Sequence, residues 1–370
     1  MESPFAAPAL FPGPAKSSIS RSLTFGCAGD PQGVAGPWQQ EETGLFEEIL
    51  VPQGIRSLPL DPRIQTTVEA RRRLPANHEI AVEAAKKRFL DARLPPAGGY
   101  NDGILTEDRT IPGDGGPVPV RIYRDAAAPA GPLPILVYFH GGGFVRGNLD
   151  THDIVCRAFA RARSLVVMSV DYRLAPEHPY PAAIDDGVAA LRFAAESGAE
   201  IGGDPARIVL GGDSAGGMLT LATALRAREA GGPAIRALVP LYPMADLVDI
   251  GSYPSCAASG DGSVGLTTRD VEWFTELYCA PERRGEAAAS PVRAPDFAGL
   301  PPSLIVLAEQ DVLYDEGRHV AGRLDAAGIP VTLIAVAGVN HGFMSTDLGL
   351  ESIPEVFGRI HAWLAPLIAD

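Results

Sequence analysis

The sequence predicts an α/β fold: a mostly parallel central sheet flanked by helices, with a helical cap above it. Three observations lead there. From Leu133 onward, short runs apolar on both faces alternate with helical stretches, the pattern of a parallel sheet buried from both sides. Helical periodicity also precedes the first strand signals, in residues 41–96. One long interval, residues 245–300, then breaks the alternation, and a loop of that length in a compact domain usually serves a function.

Taken in order, residues 1–40 are rich in Pro, Gly, Ala and Ser without a sustained period, which predicts a poorly ordered tail. In residues 41–96 one helix should end at Leu74, because Pro75 disfavours helical geometry before it. A second should start after Asn77, an N-cap residue, and stack Ala81, Ala85 and Phe89 on one face. This segment is expected to be the first part of the cap. Ile104 to Ile111 and Val118 to Tyr123 flank a Gly/Pro/Asp turn, the signature of an antiparallel hairpin.

The core is expected over residues 97–244 and again over 301–370. Its buried strands are Leu133–Phe139, Val166–Val170, Ile208–Leu210, Leu238–Leu241, Leu304–Leu307 and Val331–Val336. Helices fit Thr151–Ala162, Ala182–Glu196, Ala215–Ala230, Leu313–Ala327 and Ile353–Leu367. The interval 245–300 is assigned to the cap; in it Thr267-Thr268-Arg269-Asp270 reads as a capping box opening an amphipathic helix.

Composition narrows the function. A net charge of −14 over 370 residues disfavours a phosphate backbone as partner, so no nucleic acid is expected. No uncharged apolar run of about 18 residues is present, and no basic region followed by an apolar stretch opens the chain; a cytoplasmic protein without membrane contact is expected. The four cysteines lie far apart, with no zinc-like spacing, and neither metal nor cofactor is predicted. Gly260 to Gly265 matches G-x-G-x-x-G, but no strand precedes it and nucleotide binding is not expected. Arg71-Arg72-Arg73 reads as a solvated helix face.

The chemistry sits at turns that follow strands. Gly212-Asp213-Ser214-Ala215-Gly216 comes directly after a strand and opens a helix. A serine hydroxyl is a poor nucleophile unless held on an exposed turn beside a base, and glycines two residues either side relieve crowding at such an elbow. Upstream, His140-Gly141-Gly142-Gly143-Phe144 follows Leu133–Phe139. Glycines let backbone N–H groups approach a ligand closely. Two of these N–H groups, with that of Ala215, would meet a developing oxyanion, where one donor is worth about 3–4 kcal/mol.

A base is still needed. Among seven histidines, His341 lies just beyond the last apolar strand, at the carboxyl edge where ligands bind open α/β sheets. His78, His152, His319 and His361 fall in or at the ends of helices and read as surface or packing residues; His140 and His178 read as structural. The acid should follow the strand Leu304–Leu307. Asp311 is the first choice and Asp315 the alternative, giving the chain order Ser, Asp, His.

Five motifs in order resemble those of the bacterial hormone-sensitive-lipase family of esterases, a branch of the α/β-hydrolases. They are His140-Gly-Gly-Gly-Phe144, Asp171-Tyr-Arg-Leu-Ala-Pro-Glu-His178, Gly212-Asp-Ser-Ala-Gly-Gly217, Asp311…Asp315-Glu-Gly317 and His341-Gly-Phe343. The likeness runs from about Ile104 to the C-terminus. It implies a triad of Ser214, Asp311 and His341 and an oxyanion hole of Gly142, Gly143 and Ala215, in some accounts Gly141. It also implies a small-molecule ester as substrate, a cap built from both helical segments, and by analogy a homodimer. Val312 stands where the family usually has Pro, and residues 1–40 have no counterpart in it. The expected activity is that of a serine carboxylesterase acting on short- to medium-chain acyl esters through an acyl-enzyme. A receptor that has lost catalysis fits less well, because His341 is present. Amide hydrolysis or acyl transfer would use the same groups.

Overall fold

The computed structural model describes residues 59–95 and 99–369; the expected tail and the start of the first helical segment lie outside them. Helix α1 (Pro62–Arg72) opens on Asp61, whose carboxylate accepts from the Arg63 N–H, with Pro62 in its first turn. A short 3-10 turn, Asn77–Glu79, leads into α2 (Val82–Asp91). Then follow β1 (Ile104–Ile111), β2 (Val118–Asp125), β3 (Leu133–Phe139), α3 (Asp153–Ala160), β4 (Val166–Val170) and α4 (Ala182–Ser197). Next come β5 (Gly203–Asp213), α5 (Ala215–Glu229), β6 (Ala237–Leu241), α6 (Pro254–Ser259) and α7 (Thr268–Tyr278). The chain closes with β7 (Ser303–Gln310), α8 (Tyr314–Ala326), β8 (Val331–Asn340) and α9 (Ser352–Leu364).

The eight strands form one sheet in the order β1-β2-β4-β3-β5-β6-β7-β8. Strand β2 runs antiparallel to both β1 and β4, and every other pairing is parallel. Two-sided burial shows in the side-chain alternation of β3, because successive residues point to opposite faces. Ile135, Val137 and Phe139 join a core with Leu219 of α5, Ile184 of α4 and Val320 of α8. Leu136 and Tyr138 face the other layer, with Phe159 of α3 and Ile360 of α9.

Two local expectations are corrected. Helix α1 stops at Arg72, not Leu74. Asn77 does not cap α2, whose N-cap position is Ala81. Its side chain is instead taken by tertiary partners: Nδ2 donates to Asp270 at 2.5 Å, and Oδ1 accepts from Arg88 at 2.7 Å and Arg146 at 3.1 Å. A buried amide so engaged has nothing left for a helix terminus.

Asp270 belongs to α7, where the expected capping box forms: its N–H donates to Thr267 Oγ1 at 2.8 Å and its carboxylate accepts from the Thr267 N–H. The interval carrying α6 and α7 is pinched at its root. Val292 donates its N–H to the Ala245 carbonyl at 3.2 Å, and Leu247 to Ser290 Oγ at 2.9 Å. Buried Glu316 of α8 accepts from the N–H groups of Ala245 and Asp246. Burial pushes its carboxyl up to about 8, against the pull of those two donors. Among the described residues no helix is long and apolar enough to cross a membrane.

Candidate active site

Strand β5 ends at Asp213 and α5 begins at Ala215, so Ser214 alone makes the turn. It has φ 56° and ψ −117°, a strained geometry for a residue with a side chain, and one typical of functional turns. The flanking glycines are obligatory. A Cβ on Gly212 would lie 2.4 Å from the Gly216 carbonyl oxygen, and one on Gly216 would lie 1.9 Å from that of Phe139. Neither contact is tolerable, so the elbow closes only without those side chains.

His341 lies just past β8, and its Nε2 is 2.8 Å from Ser214 Oγ. Its Nδ1 is 2.7 Å from Asp311 Oδ2. Asp311 lies just past β7, is 1% exposed, and fixes its other oxygen on the Leu313 N–H at 3.0 Å. The hydrogen-bond chain fixes the tautomer: with Nδ1–H donated to a carboxylate, Nε2 is left as the acceptor for the serine proton. The Tyr242 ring meets the imidazole edge-on at 5.2 Å. Asp315, the alternative acid, points elsewhere; its Oδ2 accepts from the Ser255 N–H at 2.7 Å, tying α8 to α6.

The glycine turn lies beside the serine. Gly142 and Gly143 have φ of 128° and 69°, open to glycine at little cost. Both line the cavity that holds Ser214 and His341, and among the described residues neither N–H has an acceptor. Ala215, at the first position of α5, also has no partner one turn back to receive its N–H. Gly141 is a correction. Its N–H donates to Asp213 Oδ1 at 2.9 Å, so it is already spent and cannot serve an oxyanion.

Asp213 is the residue that sequence reasoning missed. Its carboxylate is 2% exposed, accepts from the Tyr138 hydroxyl at 2.7 Å, and lies 3.3 Å from His152 Nε2. Burial opposes its charge, but His152 and the hydrogen bonds from His152 and Tyr138 hold its carboxyl below the usual range. One carboxylate thus joins the nucleophile turn to the glycine turn. His140 stacks on Tyr172 at 4.3 Å, and burial lowers its imidazole to about 3, so it stays neutral and structural.

The cavity over these groups measures about 120 Å³. Its lining includes Val68 of α1, Phe89 of α2 and Phe274 of α7 together with Ser214 and His341. Arg71, expected on a solvated face, also reaches the cavity and lies 3.6 Å from Asp270. The arrangement offers a nucleophile, a base with an oriented tautomer, and free N–H donors in one enclosed place.

These are the parts of a serine-dependent hydrolase built on an α/β sheet. A family model described as the alpha/beta hydrolase fold matches residues 136–345. Carboxylesterase NlhH of Mycobacterium tuberculosis is 41% identical over 287 residues, covering 75% of this chain and 87% of that protein. Ethyl acetate hydrolase of Pseudomonas putida is 34% identical over 286 residues, covering 75% and 88%. A solved structure, a thermostable esterase from Pseudomonas putida, superposes with a TM-score of 0.79 at 32% identity, over 85% of this chain and 99% of that one. The chain belongs to the α/β-hydrolase family, within its hormone-sensitive-lipase-type esterases.

Proposed function

We propose that the chain is a serine carboxylesterase for short- to medium-chain acyl esters, with Ser214 as nucleophile, His341 as base and Asp311 as the acid that orients it. The observation that carries this reading is the unbroken chain Asp311–His341–Ser214, with contacts of 2.7 and 2.8 Å. His341 takes the Ser214 proton as Oγ attacks the ester carbonyl. The N–H groups of Gly142, Gly143 and Ala215 receive the oxyanion. His341 then protonates the departing alcohol, an acyl-enzyme remains, and water repeats the sequence. Asp311 stabilises the imidazolium between proton transfers.

Residues 41–96 and 245–300 act as a cap on a core of residues 97–244 and 301–370. The short-chain preference rests on the small cavity beneath α1, α2 and α7, with arginines among its lining residues. A reducing cytoplasm fits the unpaired thiols of Cys156, Cys256 and Cys279. The test is a rate survey over p-nitrophenyl esters from acetate to palmitate with wild type and Ser214→Ala. Turnover should peak at roughly two to eight acyl carbons and fall by several powers of ten without the hydroxyl. Activity of Ser214→Ala within about tenfold of wild type would remove the nucleophile from the reading, and faster turnover of palmitate than butyrate would remove the chain-length preference.

A further inference from the structure

Two arginines line the cavity above Ser214 with their charges uncompensated. The side chain of Arg93, just past the end of α2, forms no hydrogen bond or ion pair among the described residues; its guanidinium lies 4.0 Å from the Phe89 ring centre. Arg146 is 7% exposed and sits between two aromatic faces, 4.5 Å from Phe89 and 4.7 Å from Phe274. Its one side-chain hydrogen bond goes to the neutral amide of Asn77. The Nε of each is buried without an acceptor. A buried donor left unsatisfied costs about 1–3 kcal/mol, more when charged, so the arrangement lacks a partner.

The nearby carboxylates do not supply it. Asp270 is engaged by Asn77 and Thr267 and lies near Arg71; Asp213 is engaged by Tyr138, Gly141 and His152. Burial, then the charge of Arg71, draws Arg93 down to about 10. Burial, then Arg71 and Arg93, draws Arg146 well below its usual value. Both arginines line the same cavity as Ser214 and His341. The backbone N–H of Arg146 donates to the Gly142 carbonyl at 3.2 Å, and its Cγ lies 3.3 Å from where a Gly142 Cβ would stand, so its side chain leaves the main chain beside the glycine turn. Stacking on an aromatic face leaves the in-plane N–H groups of a guanidinium free to donate, and of those on Arg146 only one goes to Asn77 among the described residues.

We propose that this esterase takes substrates carrying a free carboxylate, which the guanidinium groups of Arg93 and Arg146 bind while the ester carbonyl reaches Ser214. The inference rests on the serine-esterase reading above and names its substrate class. A carboxylate on the acyl side, as in a half-ester of a dicarboxylic acid, and one on the alcohol side present the same chemistry to the arginines.

The experiment is titrimetric, at constant pH, on the full chain. Monoethyl glutarate is compared with ethyl pentanoate for the acyl side, and 3-acetoxypropanoate with propyl acetate for the alcohol side. In at least one pair the anionic ester should have the higher kcat/KM. Arg93→Met and Arg146→Met should each lower that anionic-to-neutral ratio about tenfold to a hundredfold, the effect of losing a charge-assisted hydrogen bond. A purely structural defect lowers both members of a pair and leaves the ratio alone. Preference for the neutral ester in both pairs, or ratios that neither variant moves, overturns the inference. p-Nitrophenyl butyrate separates the two levels: Ser214-dependent turnover of it without carboxylate preference overturns only this inference, whereas no turnover of any ester overturns the esterase reading beneath it.

Discussion

Gly142→Ala tests whether the glycine turn supplies oxyanion donors or merely turns the chain. At φ 128° an L-residue is strained, by about 1–3 kcal/mol. The added methyl would start 1.9 Å from the Arg146 carbonyl oxygen, where ordinary contact needs more than 3 Å, so the backbone must move by over about 1 Å. Overpacking of this kind costs about 1–3 kcal/mol. Relaxation moves the N–H groups of Gly142 and Gly143 away from their positions, and loss of one oxyanion donor costs about 10²–10³ in kcat. The assay is kcat on p-nitrophenyl butyrate alongside thermal unfolding. Gly358→Ala in α9 is the control: its Cβ meets nothing within 4 Å, and the helix should gain about 0.5–1 kcal/mol. A Gly142→Ala enzyme with kcat within threefold of wild type would refute the donor role, whatever happens to its stability.

Two further outcomes are expected. Asp311→Asn should retain the fold yet lose about 10⁴ in kcat, the serine-protease precedent for an amide that favours the wrong imidazole tautomer. Asp315→Asn, whose carboxylate accepts from the Ser255 N–H, should cost about 1 kcal/mol or less in urea unfolding and leave kcat nearly unchanged; reversed phenotypes would expel Asp311 from the triad. The second concerns acid stability. Burial holds His140 and His361 at about 3 and 4, against an ordinary value of 6.5. Below pH 6.5 the unfolded chain therefore takes up protons that the folded one refuses. Stability present above 6.5 should decline as pH falls toward 4, read as a falling midpoint in urea, and His140→Gln should flatten that slope; an equally steep decline in the variant would show that the buried imidazole is not a cause.

The sheet was legible because its strands are buried on both faces. β3 and β4 begin and end where their apolar runs do. β5 is longer than its run Ile208–Leu210: Gly203 and Asp204 pair with Leu133 and Pro134 through backbone alone, which hydropathy cannot register. Ser214 and His341 were legible from small residues and position after strands. Gly141 was not, because its N–H is claimed by a carboxylate 72 positions away. The same holds for Asn77, drawn from its helix terminus by Asp270. Each miss is a side chain whose partner comes from a distant element, and local pattern carries no record of that.

The pinched root of the 245–300 interval has a consequence for how such an enzyme diversifies. Ala245 and Val292, and Leu247 and Ser290, meet across a closed stem, while Glu316 grips the same stem from the helix that follows Asp311. The ends of the excursion are thus fixed by the core, and lengthening the chain between them costs only a slowly growing closure entropy. That chain supplies Leu266, Val271 and Phe274 to the cavity wall but neither the nucleophile, the base nor the acid. Its stem is held by the core, and between residues 247 and 290 it also braces the turns beside the acid and the base. Ser255 donates its hydroxyl to the Val312 carbonyl and its N–H to Asp315, and the Val264 carbonyl accepts from Asn340, so this part of the wall is tied to the turns that carry Asp311 and His341.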